Sequence, residues 1–412
     1  MFTEKERIRL RNLAAKQLEV ANSDKNQQRL KDWVKFNSCE LDRPMLHLEI
    51  DNFLQEIIDP YLECEDKMAR KIEKRLMWNA YNQSVLDDDK VCAPYFGVWY
   101  DFIRYPWGFN VIQEFADDGG IGQHFAEQVE DVEEEIDKFG KSRFDLKQED
   151  TKAYFDAAQD TFGDILPVKM VAKSNICWLT QDLVHIMGMQ NMCISMAESP
   201  EYVHKVLNML ADDYIDFFQW QIDNGLMLPT AGPEECNQGS ICLTNELPAE
   251  GPITDMSQVW LHMDSQETIN VSQKMFEEQC WEAYKKVAEK FGLLSFGCCD
   301  PLERLWPCLQ QLPNLRRASI SPWTNEEFMG EVLSEKGRKT IYQRKPSPNY
   351  LGVSEVLDED AWRAHIDKTL DAAKNCSLEI TIRDVYTIHN NVDKAKRCVE
   401  IMKEAIADKW NA

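Results

Sequence analysis

The chain has 412 residues, 44% of them hydrophobic, enough to bury a large core as one barrel-sized domain or two smaller ones. A formal charge of −25 excludes a nucleic-acid surface, because phosphate binding needs a basic stripe and none is visible. The N-terminus begins with charged residues, no apolar run is long enough to span a bilayer, and the thirteen cysteines are scattered rather than set in a framework. A cytoplasmic protein without membrane contact is expected.

Residues 1–36 read as polar amphipathic helix, with Ile8, Leu10, Leu13 and Leu18 among many charges, and form a helical extension over 1–40. Pro44 to Ile50 predicts a first strand, followed by helix from Asp51 to about Leu76, interrupted at Pro60. Val91 to Tyr100 predicts the second strand, with an aromatic segment from Trp99 to Phe109 at its exit. The acidic run Glu127 to Glu135 reads as the solvated face of a helix, or as a strip for a basic partner.

Ile165 to Ala172 predicts the third strand, with helices at Trp178 to Met187 and Pro200 to Asn224. For the second of these, Ser199 can accept from the first-turn amides, Pro200 suits the first helical position and Gly225 can take the left-handed stop. Leu226 to Ala231 predicts the fourth strand. About forty residues then precede the helix at Ser272, and they read as a cap with its own extended pieces at Ile241 to Asn245 and Val259 to Met263. Four strand-helix units finish the chain, their strands at Gly292 to Cys298, Leu315 to Ser321, Thr340 to Lys345 and Ser377 to Asp384. Eight strands each followed by helix predict an α/β fold, a (β/α)8 TIM barrel over 41–412 with the cap inserted after strand 4.

Candidate chemistry gathers at strand ends. Gly297, Cys298, Cys299 and Asp300 follow the fifth predicted strand, on the face where barrels carry their sites. Successive strand residues point to opposite faces, so either Cys298 or Cys299 faces the site, unless a turn presents both. Trp323 follows the sixth strand and either stacks on an aromatic substrate or packs in the core. Lys345 follows the seventh, where its ammonium suits a phenolate or carboxylate. His262 either donates to substrate or sits satisfied in the cap, where Trp260 and Asp264 join it as substrate-binding candidates.

The run Phe296-Gly297-Cys298-Cys299-Asp300, with Gln266-Glu267, Val271-Ser272, Met275-Phe276-Glu277-Glu278 and Ser321-Pro322-Trp323, resembles the uroporphyrinogen decarboxylase fold family, and within it the corrinoid-dependent methyltransferase branch. That branch carries a His-x-Cys-Gly-Asp/Asn turn whose cysteine binds zinc. Cys298 keeps the cysteine position, while Phe296 stands at that of the histidine. The resemblance implies a zinc-dependent methyltransferase that moves a methyl from a small methylated compound, such as an aryl methyl ether in O-demethylation, to a corrinoid (cobalamin) carried by a separate corrinoid-binding protein. Zinc on the departing heteroatom would spread its developing charge. By the same resemblance the metal ligands are Cys298 or its rival Cys299, an acidic ligand at Glu267 with Asp264 as alternative, and Asp384 at the end of the eighth strand, where an ion pair with Arg383 is the other reading. Glu267, Lys345 and His262 are the catalytic candidates. Cys376 lies at the beginning of its strand, on the opposite face.

The true decarboxylase grips its substrate's carboxylates with an arginine-bearing run after the first strand, where this chain has Asp51-Asn52-Phe53-Leu54, so porphyrinogen decarboxylation is discounted. Two alternatives remain: a metal-free decarboxylase or lyase of the same fold, and a non-catalytic corrinoid- or ligand-binding barrel. A homodimer is compatible with either.

Overall fold

A computed structural model describes residues 2–115 and 123–410. The chain begins with two helices, Glu4–Ala21 and Asp24–Asn37. Ser23 caps the second by accepting from the Asn26 amide at 3.3 Å. The central element is a parallel sheet whose strands are β1 (Met45–Leu48), β4 (Ile176–Cys177), β5 (Trp260–Met263), β6 (Leu293–Phe296), β7 (Leu315–Ile320), β8 (Ile341–Arg344) and β9 (Leu378–Ile382), counting in chain order with β2 (Phe96–Val98) and β3 (Val168–Met170) as a separate parallel pair. Its seven strands run in the order β1-β9-β8-β7-β6-β5-β4. This is a mixed α/β architecture consistent with a (β/α)8 barrel; among the described residues the parallel ladders form an arc and a separate pair rather than a closed ring.

Alternation along these strands explains how the sheet is held. Leu46, Leu48, Leu261, Met263, Leu294, Phe296, Ala318, Ile320, Leu378, Ile380 and Ile382 belong to the main apolar cluster, together with residues of the surrounding helices. The alternate positions, His47, His262, Ser295, Arg317, Ser319, Gln343, Glu379 and Thr381, are all buried and polar. A purely apolar sheet interior would reject them, but a hairpin made of Glu235–Asn237 and Ser240–Ile241 meets them. Ser240 donates to Glu379 at 2.8 Å, and Gln343 donates to the Gln238 carbonyl at 3.1 Å. Arg317 pairs with Glu379 at 3.1 Å, and Asn37 accepts from Arg317 at 2.6 Å. A disulfide between Cys236 and Cys242 joins the hairpin's ends, and the other eleven cysteines are free.

Four expectations are corrected. Leu226 to Ala231 is irregular backbone rather than a strand, and Val259 to Met263 is no cap segment but supplies β5 within the sheet. Pro229 lacks the N–H a central strand needs, and the Trp260 amide is instead satisfied by the Thr230 hydroxyl at 2.8 Å, while β5 bonds directly to β4. The acidic run at 127–135 is turn and loop rather than helix, tucking Val129 and Val132 into the core. Ser199 does not cap its helix: its hydroxyl donates to Glu133 at 2.8 Å, although Gly225 does take the left-handed stop at φ +66°. Among the described residues no helix is long and apolar enough to cross a membrane.

Candidate active site

The C-terminal ends of β5, β6, β8 and β9, with that of β1, converge on one mouth. After β6 the chain turns at Gly297, whose φ of +102° and whose closeness to Leu302 and Ser319, 3.1 Å from where a Cβ would stand, exclude a side chain. That turn delivers Cys298, half-buried, and Cys299, exposed, with their sulfurs 3.7 Å apart. Both thiols therefore reach the mouth together. Asp300 is fully buried beneath them; one carboxylate oxygen accepts from the Cys298 amide at 3.0 Å and the other has no partner among the described residues.

β5 delivers the acids. Asp264 follows its last residue and is buried, with Oδ2 3.6 Å from His262 Nε2 and Oδ1 without a hydrogen-bond partner among the described residues. Glu267 sits in the short 3-10 turn Gln266–Thr268, buried, and accepts from the Thr180 hydroxyl at 2.8 Å. Tyr284, 2.9 Å from Thr180, donates to the Asp264 carbonyl at 2.9 Å and ties the two together. Because Trp260–Met263 is a sheet strand, both acids stand at a strand end rather than on a cap.

β8 and β9 deliver the cations. Lys345 is buried; its ammonium donates to Gln238 Oε1 at 2.6 Å and to the Cys298 carbonyl at 3.5 Å. Arg383 donates to the same Gln238 oxygen, and its Nε lies 3.2 Å from Glu49 and 3.3 Å from Asp384.

The electrostatics follow from burial. It pushes Asp264 up to about 6 against the pull of Lys345 and Arg383, and pushes Glu267 up to about 7 with Asp264's help. Glu49 rises to about 7 for the same reason, opposed by Arg383. The Cys298 thiol, donating to its neighbour and buried, is raised, whereas that hydrogen bond lowers Cys299 to about 7 against burial, with Lys345 assisting. Burial and the nearby cations hold His262 well below its ordinary range, so the ring is neutral. Around neutral pH the mouth thus contains groups in mid-titration, the Cys299 thiol and the Glu267 carboxyl at about 7, beside Asp264, which gives up its proton at about 6.

The remaining candidates are spread apart. Trp260 lies at the far end of β5, its indole donating to the Cys242 carbonyl at 3.0 Å and facing the Arg317 guanidinium. Trp323 is 71% exposed at the rim. Asp384 is engaged by Arg383, and Glu267 by Thr180. Phe296 points with the helix-facing set, so no imidazole at that position would reach the mouth. Among the described residues no three His, Cys, Asp or Glu side chains converge on a metal-sized space. As arranged, the residues do not form the donor set that zinc requires. Sequence reasoning missed Gln238 and Glu49. The Asn237-Gln238-Gly239 stretch was the available signal for the first, a turn sequence placed between two cysteines.

No family model matches the sequence, and no curated protein matches it. Among solved structures the chain is similar to a methyltransferase from Methanosarcina mazei, at 10% identity, over 94% of this chain and 99% of that one, with a TM-score of 0.49.

Proposed function

We propose that this chain is an enzyme of methyl transfer that takes a methyl from a small methylated donor, the aryl methyl ether class being the first to try. One observation carries the reading: an exposed Cys299 sulfur, whose thiolate is favoured by the Cys298 thiol 3.7 Å away, stands at the same mouth as Glu267, a buried carboxyl that titrates at about 7, and Asp264. A methyl on oxygen is a poor electrophile because the oxygen leaves as a strong base. A carboxyl titrating near neutrality relieves this by giving its proton to that oxygen as the bond to carbon breaks. The soft Cys299 sulfur is suited to meet the methyl carbon. A corrinoid protein, which the sequence resemblance implies as partner, would supply the final methyl acceptor.

No step is assigned to zinc, because the side chains do not converge on one. Metal content decides that part of the resemblance. Stoichiometric zinc in the purified protein, lost in Cys298→Ser, would mean that the mouth rearranges around a metal. The reading itself is tested by mixing the protein with 2-methoxyphenol, and separately with 3-methoxybenzoate, and a cobalt(I) corrinoid under anaerobic conditions. Methylated corrinoid should form and should vanish in Cys299→Ser; methyl transfer that survives in Cys298→Ser/Cys299→Ser sinks the proposal.

A second reading is a lyase that releases carbon dioxide, favoured by the raised acids, which would protonate the carbanion left behind. Evolution of labelled carbon dioxide from carboxylated aromatics without methyl transfer would select it.

A further inference from the structure

Two buried cations share one neutral oxygen at this mouth. Lys345 Nζ and the Arg383 guanidinium both donate to Gln238 Oε1. Arg383 also has Glu49 and Asp384 beside it. Lys345 has no such partner: among the described residues no carboxylate oxygen lies within 4.0 Å of its ammonium, though its side chain is nearly inaccessible. Burying an ammonium against an amide carbonyl is a poor exchange for water, since charge-assisted bonds to anions are roughly twice as strong as those to neutral acceptors.

The hairpin that brings Gln238 is anchored elsewhere. Its backbone is held through the Gln238 carbonyl by Gln343 and through Ser240 by Glu379, and the Cys236–Cys242 bridge closes its ends. Displacing the Gln238 side chain would therefore leave these anchors of the hairpin in place. Its amide oxygen stands where one oxygen of an anionic ligand would go; Gln238 and Lys345 are themselves buried, with the exposed Cys299 and part-exposed Asp384 at the same mouth.

Resting on the reading that this mouth is the reaction centre, we infer that the substrate carries a carboxylate, which displaces the Gln238 side chain and bridges Lys345 and Arg383 with its two oxygens. Gln238 then acts as a built-in placeholder for that group and as a specificity-determining residue. The carboxylate would fix the far end of the donor while its methyl faces Cys299. The occupant is a carboxylate, which gives each cation a charged oxygen of its own where Gln238 gives both one neutral oxygen.

Calorimetric titration of the intact protein with benzoate and with benzyl alcohol, its uncharged counterpart, tests this without metal, corrinoid or turnover. Benzoate should bind the wild type at least tenfold more tightly than benzyl alcohol does, and more tightly still in Gln238→Ala, where the competing oxygen is gone. In Gln238→Glu, which supplies an internal carboxylate, benzoate affinity should fall at least tenfold, and thermal unfolding should shift upward. Lys345→Met should show the same loss of affinity; if that variant fails to fold, the two Gln238 variants still decide. Equal binding of the two probes, unchanged benzoate affinity in Gln238→Glu, or no benzoate binding to Gln238→Ala overturns the inference. Failure of methyl transfer with benzoate binding intact removes only the proposed reaction, and the converse removes only the carboxylate anchor.

Discussion

Two groups of buried carboxylates in this chain have opposite characters. Near the N-terminus, Glu73 accepts from the Glu63 and Cys64 amides and from Arg9, at 2.9–3.0 Å, and Glu6 accepts from the Glu65 and Asp66 amides and from Thr3. Burial alone would raise Glu73, but those amides and the guanidinium bring it below its ordinary range; the Asp66 amide leads in taking Glu6 down to about 2. At the mouth, Asp264 and Asp300 each keep an oxygen without a hydrogen-bond partner among the described residues, and burial takes Asp264 up to about 6 and Glu267 to about 7. Carboxylates with saturated hydrogen bonds hold segments together. Those left short of donors hold their protons to higher pH than an ordinary carboxyl, which is the property a proton-transferring centre needs.

The largest effect that could break this contrast is at Glu73. Glu73→Ala should cost about 3–5 kcal/mol, because two amides and a guanidinium lose their acceptor, and denaturant unfolding measures it. A loss below about 1 kcal/mol would mean that the network does not hold the segment. Glu267 should act in the reverse sense. A carboxyl raised in the folded state adds nothing below its unfolded value near 4.3, then destabilises progressively as pH rises, fully so above about 7. Glu267→Gln should therefore leave stability unchanged at pH 4 and raise it by about 2–3 kcal/mol at pH 8 while slowing turnover. The N-terminal acids run oppositely: their contribution is present above about 4.3 and, for Glu6, is lost as pH falls toward about 2.

Much of the architecture was legible because strand alternation writes it directly: Leu378, Ile380 and Ile382 face the helices while Glu379 and Thr381 face inward. The turn at Gly297 was legible for a comparable reason, since a glycine ending an apolar run announces a change of direction, and both cysteines after it reach the mouth. What misled was the choice between two short apolar runs. Leu226 to Ala231 and Trp260 to Met263 are alike in composition, and only the pairing partners, set by contacts distant in sequence, make the second a strand. That error carried Glu267 and Asp264 onto a cap. The buried polar face of the sheet was equally hidden, because the residues that satisfy Glu379 come from the hairpin at 235–241 and from Asn37 through Arg317.

The thiols offer a subtler way to sharpen the contrast. Cys299 should be alkylated by iodoacetamide with a midpoint near pH 7, read by mass spectrometry, and Cys298→Ala should move that midpoint upward by about one unit, toward an ordinary thiol, because the hydrogen bond that favours the thiolate is gone. An unmoved midpoint would assign the effect to Lys345 rather than to the neighbouring thiol.

The smallest stability effect is expected at Trp323, and there it is the smallness that informs. With 71% of the residue exposed, little apolar area is removed from water by folding, so Trp323→Ala should change stability by no more than about 0.5 kcal/mol. An indole at the rim of the mouth still offers a flat apolar face to an aromatic donor. The variant should accordingly raise KM several-fold and leave kcat unchanged, the pattern of binding lost equally from ground state and transition state. A fall in kcat with KM unaltered would place Trp323 against the reacting atoms. Unchanged kinetics would mean that the donor enters from the side of Lys345 and Arg383 without touching it.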